Sequence, residues 1–117
     1  MQALQRLARL GCIALSAFAC VGIKYHYSGN PGLAGGGLWA GASGTPEGAL
    51  YGQTEASQRY GIPPPTYRYP VLVDPKLLGP PRIVPASNRY TGGGTEVDVL
   101  GPTPAGSIGP PTQVPVP

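Results

Sequence analysis

The chain is poor in the side chains that carry most catalytic and metal chemistry. Its 117 residues include two cysteines and one histidine, and only 11% are charged. A zinc site needs three or four ligands at characteristic spacings, and an attached haem needs Cys-x-x-Cys-His; the sequence has neither pattern. The glycine triplets at 35–37 and 92–94 lack the Lys-Ser/Thr of a phosphate loop, and no Gly-x-Ser-x-Gly elbow occurs. We therefore predict a protein that is not an enzyme and holds no cofactor or metal.

Large apolar side chains are scarce after the N-terminal part. From residue 28 onward the chain has 18 Leu, Ile, Val and Trp residues in 90, and no Phe or Met. Glycine and proline, 19 and 16 residues, make up roughly 30% of the chain, which is typical of extended or low-complexity sequence. A segment of this size buries too little surface to fold easily. The composition predicts a mostly irregular, extended chain with one N-terminal transmembrane or signal helix, one short helix at most besides it, and no independent globular core.

Positive charge is concentrated near the N-terminus. The formal net charge is +3, and it comes from Arg6, Arg9 and Lys24, because the five later basic residues are matched by five acids. Nucleic-acid binding needs a concentrated basic surface. The sequence therefore predicts no nucleic-acid partner, and the lack of a catalytic constellation predicts no small-molecule substrate.

The N-terminal segment, residues 1–27, is directed to a membrane. Residues 10–23 carry no charge and follow two arginines, which fits a cleaved export signal with cleavage after Ala19, a lipoprotein signal with Cys20 as the lipid site, or a retained anchor. Fourteen helical residues span about 21 Å, short of the roughly 30 Å hydrocarbon core. We favour the retained anchor, because Arg9 and Lys24 can reach toward the headgroups and Tyr25 and Tyr27 suit an interfacial aromatic belt.

This anchor defines two groups of residues and a topology. The charge bias places the N-terminus in the cytoplasm and the rest of the chain outside it; in the cleaved alternative the mature protein is periplasmic or secreted. Small side chains at a four-residue spacing indicate a helix-packing row. The membrane-contacting residues are Leu10, Ile13, Leu15, Phe18, Val21 and Ile23, and the packing row is Ala8, Cys12, Ser16 and Cys20.

After the anchor we predict a Gly-rich linker, residues 28–45, a short helix over 46–61 and a Pro-rich extended tail, 62–117. Thr45 suits the helix cap, and Glu55 and Arg59 are spaced for an ion pair on one helix face. In the tail, "PVLVDP" and "PRIVP" allow only short edge strands, whereas the alternation in "TEVDVL" predicts a half-buried strand.

Two local motifs permit a binding role that we do not favour. Pro64-Pro65-Thr66-Tyr67 matches the Pro-Pro-x-Tyr pattern of WW-domain ligands, but accidental matches are common in so proline-rich a chain. His26 at the membrane boundary could ligate a haem or pigment, although an interfacial polar residue explains it as well.

We predict a small non-catalytic accessory subunit of a larger membrane protein complex, held by one helix with its tail spread over the extracytoplasmic face, in contact with membrane lipid. Ordering such a chain costs about 1–2 kcal/mol per residue, which a large partner surface can repay. The alternative is a secreted or lipid-anchored envelope protein with a Pro-rich spacer. Aromatic side chains are the expected partner contacts: Trp39, Tyr51, Tyr60, Tyr67, Tyr69 and Tyr90.

Overall fold

Among the residues that the structure describes, every strand is antiparallel, and four of the six strands are four residues long or shorter. A computed structural model describes residues 22–117. Within this range, one α-helix and one turn of 3₁₀ helix, Pro75–Leu77, accompany the strands. The elements are β1 Gly22–Ser28, β2 Ser43–Gly44, α1 Gln53–Tyr60, β3 Tyr67–Val73, β4 Arg82–Ile83, β5 Thr95–Asp98 and β6 Thr112–Gln113.

The strands form two three-stranded sheets that meet at one backbone pair. The first sheet has the order β1-β3-β6 and the second the order β2-β5-β4. Tyr25 and Thr45 exchange two backbone hydrogen bonds of 2.8 Å, which join β1 of the first sheet to the end of β2 in the second. The strand order therefore continues across both sheets as β6-β3-β1-β2-β5-β4.

One face of this strand array covers the main hydrophobic core. Side chains alternate between the faces of a strand, and Tyr69, Val71 and Val73 of β3 share the inner face and are buried. Val99, the residue after β5, joins them. Leu38, Ala42 and Ile108 come from loops that close over this face. The buried members of the core are Leu38, Ala42, Tyr69, Val71, Val73, Val99 and Ile108. A second cluster, between α1 and the outer face, contains Ala56, Tyr60 and Val84.

The Gly-rich segment is held by backbone bonds to a distant part of the chain. Gly35 N–H donates to Ile108 O, and Ile108 N–H donates to Gly36 O, at 2.8 and 3.1 Å. A Cβ at Gly37 would overlap the backbone of Thr103, so only glycine permits the two segments to approach this closely. The segment is flexible in isolation, but residues 103–108 supply the partner that orders it.

Prolines delimit both edge strands. Pro80-Pro81 and Pro85 flank β4, and prolines at 110, 111, 115 and 117 flank β6. Proline lacks the N–H needed to extend a ladder, and short proline-flanked edges resist pairing with other chains. The prediction of a short edge strand at "PRIVP" is confirmed by β4, and the strand predicted at "TEVDVL" is confirmed by β5.

Strand β3 lies at the centre of its sheet, so the prediction that "PVLVDP" can form only an edge strand is wrong. Pro70 is opposite Tyr25, whose N–H and C=O both bond to Thr45. Strand β1 therefore needs no N–H from Pro70. On the other side of β3, pairing is interrupted between Ile108 and Thr112, and the missing N–H is tolerated there.

The helix begins later than the sequence predicts. Gly52 is the N-cap and Gly61, in the left-handed conformation with φ 65°, ends the helix, as predicted for its C-terminus. Thr45 pairs with β1 instead of capping a helix, and Pro46 to Gly52 cross the sheet as a loop. Arg59 forms its ion pair with Glu47 in this loop, at 2.9 Å, instead of with Glu55.

The predicted fold class is wrong, because the Gly- and Pro-rich chain forms a compact β-rich fold with its own core. Residues 62–117 supply four of the six strands, so they are not an extended spacer. They reach sufficient burial by closing loops over one sheet face, which compensates for the scarcity of large apolar side chains.

The predicted single-pass membrane protein is also contradicted. Within residues 22–117 no helix has the length and apolar character to cross a membrane. Ile23, the last residue of the predicted anchor, lies in strand β1, which shows that the apolar sequence does not continue as a helix to that point. The other anchor and packing-row residues lie outside the described residues: Leu10, Ile13, Leu15, Phe18, Val21, Ala8, Cys12, Ser16 and Cys20.

Candidate functional site

Two similar segments, Tyr25-His26-Tyr27 and Tyr67-Arg68-Tyr69, pair with each other in the first sheet. In this register His26 is opposite Tyr69, and Tyr27 is opposite Arg68. The basic residue of each segment therefore shares a face with the tyrosines of the other. His26 lies with Tyr69 on the inner face, and Arg68 lies with Tyr25 and Tyr27 on the outer face.

Arg68 fixes the position of the Tyr25 ring. Its guanidinium carbon is 3.7 Å from the centroid of that ring, within the range of a cation–π contact. Nη2 donates to the Gly48 carbonyl at 2.8 Å, which also fixes the guanidinium. The residue is more than nine-tenths buried, and its Nε has no hydrogen-bond partner within residues 22–117. Arg68 thus covers one face of the Tyr25 ring. Tyr25 also lines a surface cleft.

That surface feature, which we call the tyrosine cleft, lies on the outer face between β1, β2, β5 and the end of α1. Its enclosed volume is about 30 Å³, far below the roughly 300–1,000 Å³ of typical small-molecule pockets. It is a shallow groove suited to a projecting part of a larger ligand. Aromatic and aliphatic side chains form its walls, small or hydroxyl-bearing residues its floor, and a carboxylate its rim: Tyr25, Tyr27, Tyr60 and Ile62; Ser43, Gly44 and Thr45; and Glu96.

Several polar groups in the tyrosine cleft have no internal partner. The hydroxyls of Tyr25 and Ser43 make no hydrogen bond to another described residue and are not among the buried atoms that lack a partner, so both are open to solvent. The Arg82 hydrogen bond to Glu96 uses only the Oε1 atom of Glu96. By contrast, the Tyr27 hydroxyl accepts from Tyr51 N–H at 3.2 Å. Two hydroxyls and one carboxylate oxygen are therefore free to bind a ligand.

Glu47 holds the wall of the cleft in place. Its carboxylate accepts hydrogen bonds from the Tyr60 hydroxyl, from Thr95 N–H at 3.1 Å and from Arg59 Nη2 at 2.9 Å. Burial alone would raise the pKa of Glu47, but these donors outweigh it and lower the pKa below 4.5. Burial, reinforced by the hydrogen bond to Glu47, raises the pKa of Tyr60, so its hydroxyl remains a donor.

At the rim of the cleft one guanidinium, that of Arg82, pairs with two carboxylates, those of Glu96 and Asp98. Arg82 donates to both oxygens of Asp98, at 2.8 and 3.0 Å, and to Glu96 at 2.7 Å. Hydrogen bonds to the two carboxylates raise the pKa of Arg82, and the hydrogen bond from Arg82 lowers the pKa of Asp98. Two carboxylates and one guanidinium leave one net negative charge on the β5 side of the cleft, whereas Arg68, which pairs with no carboxylate among the described residues, places a positive charge beside the Tyr25 wall.

His26 and Trp39 form a separate contact on the inner side of β1. The rings meet edge to face at 5.4 Å, and His26 Nδ1 is 2.7 Å from Ser43 O. Burial lowers the pKa of His26, against the opposing effect of this hydrogen bond. A neutral imidazole that donates from Nδ1 is the state this environment favours. No group of three potential metal ligands occurs among residues 22–117, so the described part of the chain offers His26 no companion ligands.

Comparison with protein-family models, curated proteins and solved structures gives no match. The function is therefore argued from the geometry of the described residues. Among these, the tyrosine cleft combines aromatic walls with unpaired hydroxyls, and its wall is held by the Glu47 network. This arrangement can recognise a ligand by ring contacts and a few hydrogen bonds.

The structure places the predicted partner contacts in different environments. Tyr69 is fully buried in the main core. Trp39 is 53% exposed but lies outside the tyrosine cleft, whereas Tyr60 forms one of its walls. Tyr51, Tyr67 and Tyr90 are half-buried. Of the six aromatic residues predicted to contact a partner, only Tyr60 belongs to the cleft.

Four residues at or beside the cleft are not predicted as site residues from the sequence: Tyr25, Tyr27, Ser43 and Arg68. The tyrosines were assigned to the boundary of a membrane helix because an apolar run precedes them. The alternation of aromatic and basic residues in Tyr25-His26-Tyr27 and in Tyr67-Arg68-Tyr69 is a period-two signal that could have identified two strands. No local signal marks Ser43, which reaches the cleft only through strand pairing.

Proposed function

We propose that this protein is a non-catalytic binding protein, an accessory component of a larger protein assembly, and that it attaches through the tyrosine cleft. The observation that carries the proposal is the set of unpaired polar groups in an aromatic groove, the Tyr25 and Ser43 hydroxyls and the free oxygen of Glu96. In the free chain these groups are open to water, so a partner can bond to them without displacing an internal hydrogen bond. Tyrosine also contributes both apolar area and a polar end to interfaces.

The shape and charge of the site favour a protein partner over other ligands. The cleft encloses too little volume to surround a small molecule. On the β5 side of the cleft, Glu96 and Asp98 outnumber Arg82, so the site does not present the concentrated basic surface that a nucleic acid requires. A projecting segment of another protein needs neither an enclosing pocket nor a concentrated basic surface.

The test fills the cleft without removing any side chain that packs in the fold. Ser43 lies on the floor of the cleft and its hydroxyl has no partner among the described residues, so Ser43→Phe blocks the groove. Ser87→Phe is the matched control, because Ser87 is exposed in a turn outside the cleft. Each tagged full-length variant is expressed in the source cells, and its native elution volume is measured by size-exclusion chromatography of a gentle extract.

We expect the wild-type chain and Ser87→Phe to elute with a species much larger than 12.0 kDa, and Ser43→Phe to elute as the free chain. Circular dichroism of the purified variants checks that both retain the fold. Elution of the wild type as a free chain, or a large species retained by a folded Ser43→Phe variant, would refute the proposed attachment.

A further inference from the structure

We infer that the ligand of the tyrosine cleft is a proline-rich segment in polyproline II conformation with a basic residue beside its prolines. This inference rests on the proposed function and specifies the chemistry of the partner. Proline-rich segments bind in grooves lined by aromatic side chains, and their preformed conformation limits the entropy lost on binding.

The walls of the cleft provide the apolar contact that such a segment requires. The rings of Tyr27 and Tyr60 are 5.5 Å apart, and Ile62 extends this apolar wall beyond the helix. On the opposite side, Tyr25 is held by the Arg68 guanidinium at 3.7 Å. Both walls are therefore positioned before a ligand arrives, which limits the side-chain ordering that binding would otherwise require.

The free polar groups match the hydrogen-bonding needs of polyproline. In this conformation the backbone makes no internal hydrogen bonds, so its carbonyl oxygens need donors, and proline has no N–H to satisfy. The hydroxyls of Tyr25 and Ser43 are the available donors in the cleft. A glycan carries many hydroxyls that each require partners, and the few free groups in this shallow groove satisfy only a small part of them.

The rim specifies the charge of the residue that accompanies the prolines. Arg82 is shared between Glu96 and Asp98, and Glu96 Oε2 takes no part in the Arg82 hydrogen bond. This leaves a carboxylate oxygen and one net negative charge where the cleft meets the second sheet. A lysine or arginine of the ligand complements this charge, and an acidic residue does not.

The Pro-Pro-x-Tyr motif of the chain itself is not this ligand and is not available as a WW-domain ligand. Pro65 is fully buried, Thr66 O accepts from Val114 N–H at 2.8 Å, and Tyr67 begins β3. Burial of Pro65 and the strand pairing of Tyr67 hold the motif in the fold, so the polyproline segment belongs to the partner.

The experiment is a titration of the full chain, followed by tyrosine and tryptophan fluorescence and by calorimetry. The probes are a decaproline peptide with a C-terminal arginine, the same peptide with glutamate in place of arginine, a decaalanine peptide with the arginine, and a soluble chitin hexasaccharide. We expect the arginine decaproline to bind more tightly than the glutamate peptide, and the alanine peptide and the saccharide to show no saturable binding.

Two variants connect the binding to named atoms. Tyr25→Phe removes one hydroxyl donor and is expected to weaken the binding of the arginine decaproline peptide roughly fivefold. Glu96→Gln is expected to remove the preference for arginine over glutamate, a change of about threefold, while Arg82 keeps its contact with Asp98. A general loss of structure would weaken all probes together and would not selectively remove the arginine preference.

Equal binding of the proline and alanine peptides, binding of the saccharide alone, or no binding of any peptide at millimolar concentration would overturn the inference. These results leave the proposed function intact if Ser43→Phe still releases the chain from its large native species. Failure of that elution experiment would instead remove the proposed function on which the inference rests.

Discussion

Replacing Glu47 with glutamine tests whether one loop carboxylate holds the helix, the second sheet and the cleft wall together. Oε1 accepts from Arg59 and Tyr51, and Oε2 accepts from Tyr60 and Thr95. Glutamine keeps the size of the side chain but replaces one acceptor oxygen by an NH₂ group that faces existing donors. The change therefore removes an ion pair and leaves donors without an acceptor.

The expected loss can be estimated from these contacts. A hydrogen bond that involves a charged group contributes about 1.5–3 kcal/mol, and those kept by a neutral amide are roughly half as strong. The Glu47 side chain is 22% exposed, and water compensates part of the loss. We expect Glu47→Gln to lower the free energy of unfolding by about 2 kcal/mol, measured by urea unfolding with an unchanged m-value.

Glu55→Gln is the matched control. Glu55 is exposed in the first turn of the helix, and its i, i+4 spacing to Arg59 would make it the ion-pair partner if local spacing decided the contact. Because Arg59 bonds to Glu47 instead, Glu55→Gln is expected to change stability by less than about 0.5 kcal/mol. Equal effects of the two substitutions, or a Glu47→Gln effect below that limit, would refute this account of the network.

Three further predictions concern pH and packing. The pKa of Glu47 is lowered in the fold from 4.5 in the unfolded chain, so its stabilising contribution is present above pH 4.5 and is lost as the pH falls below that value. Glu47→Gln should therefore lower the free energy of unfolding, measured with urea, by less below pH 4.5 than above it. The pKa of His26 is lowered in the fold from 6.5, so unfolding takes up a proton below pH 6.5 and the free energy of unfolding decreases as the pH falls there. His26→Gln should reduce this dependence on pH, and an unchanged dependence would show that His26 is not its source. A Cβ at Gly94 would overlap the Tyr60 ring, so Gly94→Ala should cost about 1–3 kcal/mol by urea unfolding, whereas Gly29→Ala, with open space around it, should cost less than about 0.5 kcal/mol.

The parts of the fold that could be predicted are those with a local signal. Strand β5 alternates apolar and polar residues, β4 is confined by prolines, and Gly61 ends the helix in the left-handed conformation that glycine favours. Each of these features depends on a few neighbouring residues.

The parts that could not be predicted depend on contacts between distant residues. The glycines at 35–37 resemble a flexible linker until residues 103–108 are known to bind them, and Tyr25 resembles a membrane-boundary residue until its pairing with Thr45 is known. The composition also predicted wrongly that the chain has no core of its own. It gives the number of large apolar residues but does not show that loops place them over one sheet face. The cleft shares this limitation, since β1, β2, β5 and the helix each supply part of it.

Hydroxyl-radical labelling of the full chain within its native assembly, compared with the purified chain, tests most directly whether the tyrosine cleft is the attachment surface. Trp39, which is 53% exposed and outside the cleft, provides an internal reference for radical dose. We expect labelling of Tyr25 to fall several-fold in the assembly while labelling of Trp39 stays the same. Equal labelling of Tyr25 in both states, at equal Trp39 labelling, would contradict it.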